Sequence, residues 1–67
     1  MAKLEELNRR IDEAGLKRNY IAAKIGVSPQ ALFNKLSGKA PLKAWEMMGI
    51  AELLRLDDHE TVDIFLR

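Results

Sequence analysis

The sequence contains no cysteine, and this absence excludes several classes of protein at once. Without cysteine there is no disulfide framework of the kind that stabilises small secreted domains, and no thiolate metal site. No apolar run approaches the roughly 20 residues that a membrane-spanning helix needs. The first residues, MAKLEE, carry charges where a signal peptide is apolar. We therefore expect a cytoplasmic protein that does not associate with membranes.

Patterns typical of strands and of catalytic sites are also missing. No segment alternates polar and apolar residues for long enough to predict a strand. No nucleophile, base and orienting group converge, no glycine-rich phosphate loop is present, and His59 stands alone as a surface residue. A chain of 67 residues leaves little room for an internal cavity. We expect a protein that is not an enzyme and has no metal, no cofactor and no small-molecule substrate.

Apolar residues recur instead at helical spacing in five short segments. We expect helices over about residues 4–14, 17–25, 29–37 and 42–55, and a last one that begins near 57–58 and has Val62, Phe65 and Leu66 as its apolar face. Gly15, Gly26 and Gly38 follow the first three and suit helix ends. The sequence predicts an all-α fold, a compact bundle of five short helices that forms one domain over residues 1–67.

A long window of the sequence, from Ala14 to Trp45, contains no acidic residue. Its six cations are Lys17, Arg18, Lys24, Lys35, Lys39 and Lys43. The window has a charge of +6, whereas residues 1–13 sum to −1 and residues 46–67 to −4, so the chain total of +1 conceals a polarised molecule. A cationic surface beside acidic flanks favours the approach of a polyanion in one orientation.

The second and third helices are separated only by Gly26, Val27 and Ser28, so we expect them to cross steeply as a helix-turn-helix. Gly26 can take a positive φ, Val27 fills the core beneath the turn, and the small Ala22 lets the two helices approach. Leu32 and Leu36 then face inward from the third helix. The opposite face of that helix carries Gln30, Phe33, Asn34 and Ser37.

In these residues the sequence resembles the helix-turn-helix domains of the phage Cro and repressor family, which have the lambda-repressor-like fold. The matching motifs are Ile21-Ala22-x-x-Ile25-Gly26-Val27-Ser28 and Asn34-Lys35-Leu36-x-Gly38-Lys39. The resemblance implies a small phage or prophage regulator of transcription, such as a repressor, acting in a bacterial host cell. It implies sequence-specific binding to double-stranded DNA as a homodimer on a two-fold symmetric operator. The helix-turn-helix would span about residues 18–37, supported by helices within residues 42–66.

Carried over by position, the resemblance assigns roles to individual residues. Gln30 and Asn34 would read bases, since their amides can pair bidentately with adenine N6 and N7 in the major groove. Phe33 would either touch thymine methyls or pack on a neighbouring helix. Phosphate contacts would come from Arg18, Asn19, Ser28, Lys35, Ser37 and Lys39, with smaller roles for Lys17, Lys24 and Lys43. The predicted dimer surface comprises Leu53, Leu56, Ile64, Phe65 and Leu66.

Two other functions remain open on the sequence. The same fold can serve as a protein-interaction module, for example in a toxin–antitoxin pair, or as a structural bundle that binds no nucleic acid. Trp45 and Met48 lie three apart in the fourth helix and off its apolar stripe. They form either a partner-binding patch or, as we expect, the periphery of the core.

Overall fold

The computed structural model describes residues 3–67 and folds them into five α-helices. These are α1 (Leu4–Ala14), α2 (Arg18–Ile25), α3 (Pro29–Leu36), α4 (Ala44–Leu53) and α5 (Asp58–Phe65). No strand occurs in this part of the chain, so the predicted all-α class is confirmed. None of the five helices has the length and apolar character needed to cross a membrane.

Glycine ends the first two helices, as the sequence predicts. Gly15 and Gly26 have φ values of 71° and 79°, in the left-handed region that residues with a Cβ seldom adopt. Gly15 N–H donates to the carbonyl of Asp12, and Gly26 N–H to that of Ala22. The left-handed residue ends each helix, and its N–H still satisfies a helical carbonyl.

Side chains contribute to the starts of α3 and α4. Ser28 Oγ accepts a hydrogen bond of 3.1 Å from Ala31 N–H at the start of α3. At the start of α4, Glu46 Oε1 accepts a bond of 2.8 Å from Lys43 N–H. Lys43 is extended (φ −81°, ψ 156°), so α4 begins at Ala44 rather than at the predicted residue 42. The glutamate therefore determines where the fourth helix starts.

The core lies where α2 packs on α3 and α4, and where α1 packs on α3 and α5. Its buried apolar residues are Leu7, Ile11, Ile21, Ala22, Ile25, Leu32, Leu36, Ile50, Ala51, Ile64 and Phe65. Ala22 is buried as predicted, but a second small residue also matters. A Cβ on Gly49 would lie 2.9 Å from Ile25 Cγ2, so α4 approaches α2 at a distance that only glycine permits.

The C-terminal helix is packed differently from the prediction. Ile64 and Phe65 are only 1% and 2% exposed, and Leu53 and Leu56 are partly buried against the same core. Of the five residues expected to form a dimer surface, Leu66 alone is exposed, at 65%. Ile64 and Phe65 are therefore not available for the predicted dimer surface, because the apolar side of α5 closes the bundle against α1.

Polar contacts attach α5 to α1. Lys3 N–H donates to the carbonyl of Ile64 at 2.6 Å, and Arg10 Nη2 lies 2.7 Å from Glu60 Oε2. The Arg10 guanidinium, and then the backbone N–H of Asp57, hold the pKa of Glu60 below its ordinary value. Both contacts orient α5 so that its Ile64 and Phe65 side enters the core.

Candidate nucleic-acid interface

The outward face of α3 brings two amides and an aromatic ring together. Gln30 and Phe33 are exposed, Phe33 at 56%, and Asn34 is half-buried. Gln30 Nε2 donates to Asn34 Oδ1 at 3.1 Å, since residues four apart are neighbours on a helix surface. The three side chains predicted to read bases therefore share one surface of one helix.

Lys39 lies beside this face. Its ammonium is 5.8 Å from the centroid of the Phe33 ring, within the range of a cation–π contact. Its backbone N–H donates to the carbonyl of Asn34 at 2.8 Å, which fixes the loop after α3 against the helix. Phe33 contacts this lysine and solvent, and a cation is held next to the amides.

The smaller polar residues predicted to contact phosphate lie at the ends of the two helices. Ser28 caps the start of α3, and Ser37 Oγ donates to the carbonyl of Asn34 at 3.2 Å at its end. Asn19 is exposed in the first turn of α2. All three are exposed and can also bond to a ligand.

Arg18 is part of a junction between three helices. Its Nη1 lies 2.9 Å from Asp12 Oδ1, and its Nη2 donates to Asn8 Oδ1 at 2.9 Å. Asn8 Nδ2 in turn donates to the carbonyls of Leu4 and Leu36, at 2.9 and 3.1 Å. The junction couples α1 to the start of α2 and to the end of α3.

Asn8 was not among the predicted residues. The only signal in the sequence is that asparagine is a poor helix former in the middle of α1. Its role depends on a contact with a residue 28 positions away. Spacing within one helix does not reveal such a contact.

Lys35 lies in a different place from the predicted phosphate contact. Its Nζ is 2.9 Å from Glu46 Oε1, and the two side chains are only 12% and 1% exposed. The same ammonium also donates to the carbonyl of Pro41 at 3.4 Å. The prediction that Lys35 contacts phosphate is contradicted, because Glu46, the first acid after the acid-free window, neutralises it inside the bundle.

Glu46 remains ionised in this setting. Burial raises the pKa of its carboxyl, but the backbone N–H of Lys43 and the ammonium of Lys35 outweigh that effect. The net pKa lies below the ordinary value of 4.5. The carboxylate thus caps α4 and pairs with α3 at once.

Four of the six cations in the window remain available. Lys17, Lys24, Lys39 and Lys43 are exposed and make no ion pair within residues 3–67. Lys24 lies over Tyr20, 5.8 Å from its ring centroid. The positive surface of the α2–α3 region is therefore carried by lysines at its periphery.

Trp45 and Met48 are 53% and 68% exposed, so the expectation that they form the periphery of the core is wrong. Glu46, between them in sequence, takes the interior position instead. Within residues 3–67, no three His, Asp or Glu side chains are grouped so as to hold a metal ion.

Comparison with protein-family models, curated proteins and solved structures gives no match to this chain.

Proposed function

We propose that this protein binds double-stranded DNA sequence-specifically, with α3 in the major groove and α2 and α3 acting as a helix-turn-helix. The observation that carries the proposal is the outward face of α3, where Gln30, Phe33 and Asn34 lie together with Lys39 beside them. An α-helix fits the width of the major groove of B-DNA. Neutral amide and aromatic side chains with a cation beside them can contact bases and a phosphate together, which a face that only contacts water does not need.

The two amides are arranged to read one base pair. Because Gln30 Nε2 bonds to Asn34 Oδ1, the remaining Gln30 Oε1 is an acceptor and Asn34 Nδ2 is a donor. Adenine offers the complementary pattern, an N6 donor and an N7 acceptor. Phe33 on the same face can contact the C5-methyl of a neighbouring thymine. The proposed readers therefore favour A·T pairs.

Backbone contacts would come from groups around the readers. Lys39 supplies charge at the end of α3, and Asn19, Ser28 and Ser37 supply hydrogen-bond donors. Arg18 is held by α1 and can present the rest of its guanidinium to a phosphate. These contacts fix the register of the protein on the duplex without reading sequence.

The biological role extends the same proposal. A transcriptional regulator of the phage Cro or repressor type would bind a two-fold symmetric operator as a homodimer. Its two α3 helices would then lie about 34–36 Å apart, in successive turns of the major groove. Such a regulator acts in the cytoplasm of a bacterial host and performs no catalysis.

Selection from random duplexes, followed by titration at two salt concentrations, tests the proposal. Gln30→Ala should cost about 1–3 kcal/mol on the selected site and relax discrimination at one base position. Lys39→Ala should weaken all sequences alike and lower the salt slope by about one unit. Lys3→Ala, a lysine paired with Asp63 of α5, is the matched control and should leave both properties unchanged.

Two outcomes would contradict the assignment. If no duplex is enriched, DNA is not the ligand. If Gln30→Ala weakens random DNA as much as the selected site, Gln30 does not read a base.

A further inference from the structure

One face of α4 is exposed although it carries large apolar side chains. Trp45, Met48 and Glu52 are spaced i, i+3 and i+7, so they lie on one side of the helix, which we call the α4 face. The opposite side of α4 carries Glu46 and Ile50, which are buried. A large aromatic and a methionine adjacent on a surface are typical of interfaces between proteins.

The charges around the α4 face are of both signs. A shallow cleft beside the indole is lined by Lys24 and Gly49 as well as by Trp45 and Glu52. Lys24 and Glu52 are both exposed, and neither makes an ion pair within residues 3–67. The face thus presents one unpaired cation and one unpaired anion next to a large ring.

We propose that a second copy of this chain covers the α4 face, with the two α4 helices packed antiparallel about a two-fold axis between Met48 and Gly49. Trp45 and Glu52 each lie about 5 Å along the helix from that axis, at 1.5 Å per residue. Trp45 of one copy therefore meets Glu52 of the other. Lys24 adjoins Trp45, so the same arrangement brings Lys24 of one copy to Glu52 of the other. The two-fold axis repeats this contact, so the interface contains it twice.

This self-complementarity argues for a second copy rather than another protein. An isologous interface needs each patch to carry both members of every contact. The α4 face carries the anion and the ring, and Lys24 of α2 supplies the cation across the cleft beside it. At the axis, Met48 of one copy lies level with Gly49 of the other, whose own missing side chain faces Ile25 of α2. A basic or an acidic partner would match only half of these charges.

The dimer is weak because the face is small. A helix of ten residues is about 15 Å long, too short to supply the roughly 800 Å² per partner of a standard interface. We expect a dissociation constant on the order of 10–100 µM. The α4 face contains no residue of the α3 reading face, so this inference does not rest on DNA binding.

Sedimentation without DNA tests the interface, with fluorescence of Trp45, the only tryptophan, as a second readout. Between about 1 µM and 1 mM the chain should pass from monomer to dimer, and Met48→Glu should raise the dissociation constant about tenfold or more. Leu66→Glu is the matched control, since Leu66 is equally exposed but lies beyond α5. It should leave the equilibrium unchanged.

A charge swap tests the antiparallel register. Lys24→Glu and Glu52→Lys should each weaken self-association by severalfold, because each brings like charges together. Mixed in equal amounts, the two variants should form a heterodimer about as tight as the wild-type dimer.

Three results would overturn the inference. The first is a wild-type monomer at about 1 mM with unchanged Trp45 fluorescence, which leaves the face to another protein. The second is an equal effect of Met48→Glu and Leu66→Glu. The third is a mixture of the charge variants that stays monomeric. Since all measurements omit DNA, a failure of DNA binding leaves them unaffected.

Discussion

Replacing Lys35 with methionine tests the buried ion pair between α3 and α4. Glu46 is 1% exposed, and its Oε1 accepts from two donors, Lys43 N–H at 2.8 Å and Lys35 Nζ at 2.9 Å. Methionine keeps much of the length of the lysine side chain and removes its ammonium. The buried carboxylate is then left with the backbone donor alone, and it must stay charged without a counter-ion or take up a proton.

The expected cost is large for a domain of this size. Removing one partner of a buried ion pair costs about 3–5 kcal/mol. The remaining Lys43 N–H and the 12% exposure of the lysine side chain place this pair at the lower end, about 3 kcal/mol. The total free energy of unfolding is about 3–10 kcal/mol at this chain length. The variant should lose a third or more of it, and Tm should fall by about 12–24 °C.

Thermal and urea unfolding at pH 7, followed by far-UV circular dichroism, measures this loss. Glu46→Gln is the matched variant, since its amide oxygen can still cap α4 through Lys43 N–H. The double variant Lys35→Met/Glu46→Gln leaves no unpaired charge and should recover most of the stability lost in Lys35→Met.

The reasoning is refuted if Lys35→Met loses less than about 1 kcal/mol, the value of an exposed ion pair. It is also refuted if the double variant is no more stable than Lys35→Met alone.

Three further changes follow from the same packing. Because the pKa of Glu46 is lowered in the fold, its carboxylate stabilises the protein fully above the ordinary value of 4.5, and this stability is lost as the pH falls through the lower folded value. The difference in unfolding free energy between wild type and Glu46→Gln, measured by urea titration, should therefore be constant above about pH 5.5 and shrink below 4.5. Gly49→Ala should lower the free energy of unfolding by about 1 kcal/mol, because its Cβ would lie 2.9 Å from Ile25 Cγ2. The same change should be neutral or stabilising in an Ile25→Ala background. An equal loss in both backgrounds would contradict the contact. Arg55 has a φ of 56°, which glycine adopts without strain. Arg55→Gly should therefore raise the free energy of unfolding by about 0.5–1 kcal/mol and Tm by a few degrees. An unchanged or lower Tm would count against strain at this residue.

The features predicted correctly from the sequence are those that depend on near neighbours in the chain. Gly15 and Gly26 end helices because the residue directly after each helix takes a left-handed φ. Ser28 caps α3 through an amide three residues on. Leu32 and Leu36 lie four apart, so they share the apolar side of α3, and both are buried. Each signal lies within one turn of the residue that it controls.

The errors arose where distant residues compete for the interior. Periodicity places Trp45 and Glu46 on different sides of α4 but does not say which side the neighbours cover. The carboxylate is buried because Lys35, on another helix, neutralises it, and the indole is consequently turned outward. The net charge of the window likewise does not show that Glu46, the residue that follows it, pairs with Lys35 and removes it from the surface.

The junction at Asn8 has a consequence for any attempt to transplant the α2–α3 segment. Residues 18–37 contain every proposed base reader, but the last carbonyl of α3 and the guanidinium of Arg18 are both held by a side chain of α1. A segment grafted into another scaffold would keep Gln30 and Asn34 and lose the bonds that aim them. A host scaffold must therefore provide an amide at the position of Asn8. In the intact chain, Asn8→Ala is expected to reduce the preference for the selected DNA sequence under conditions in which the domain still folds.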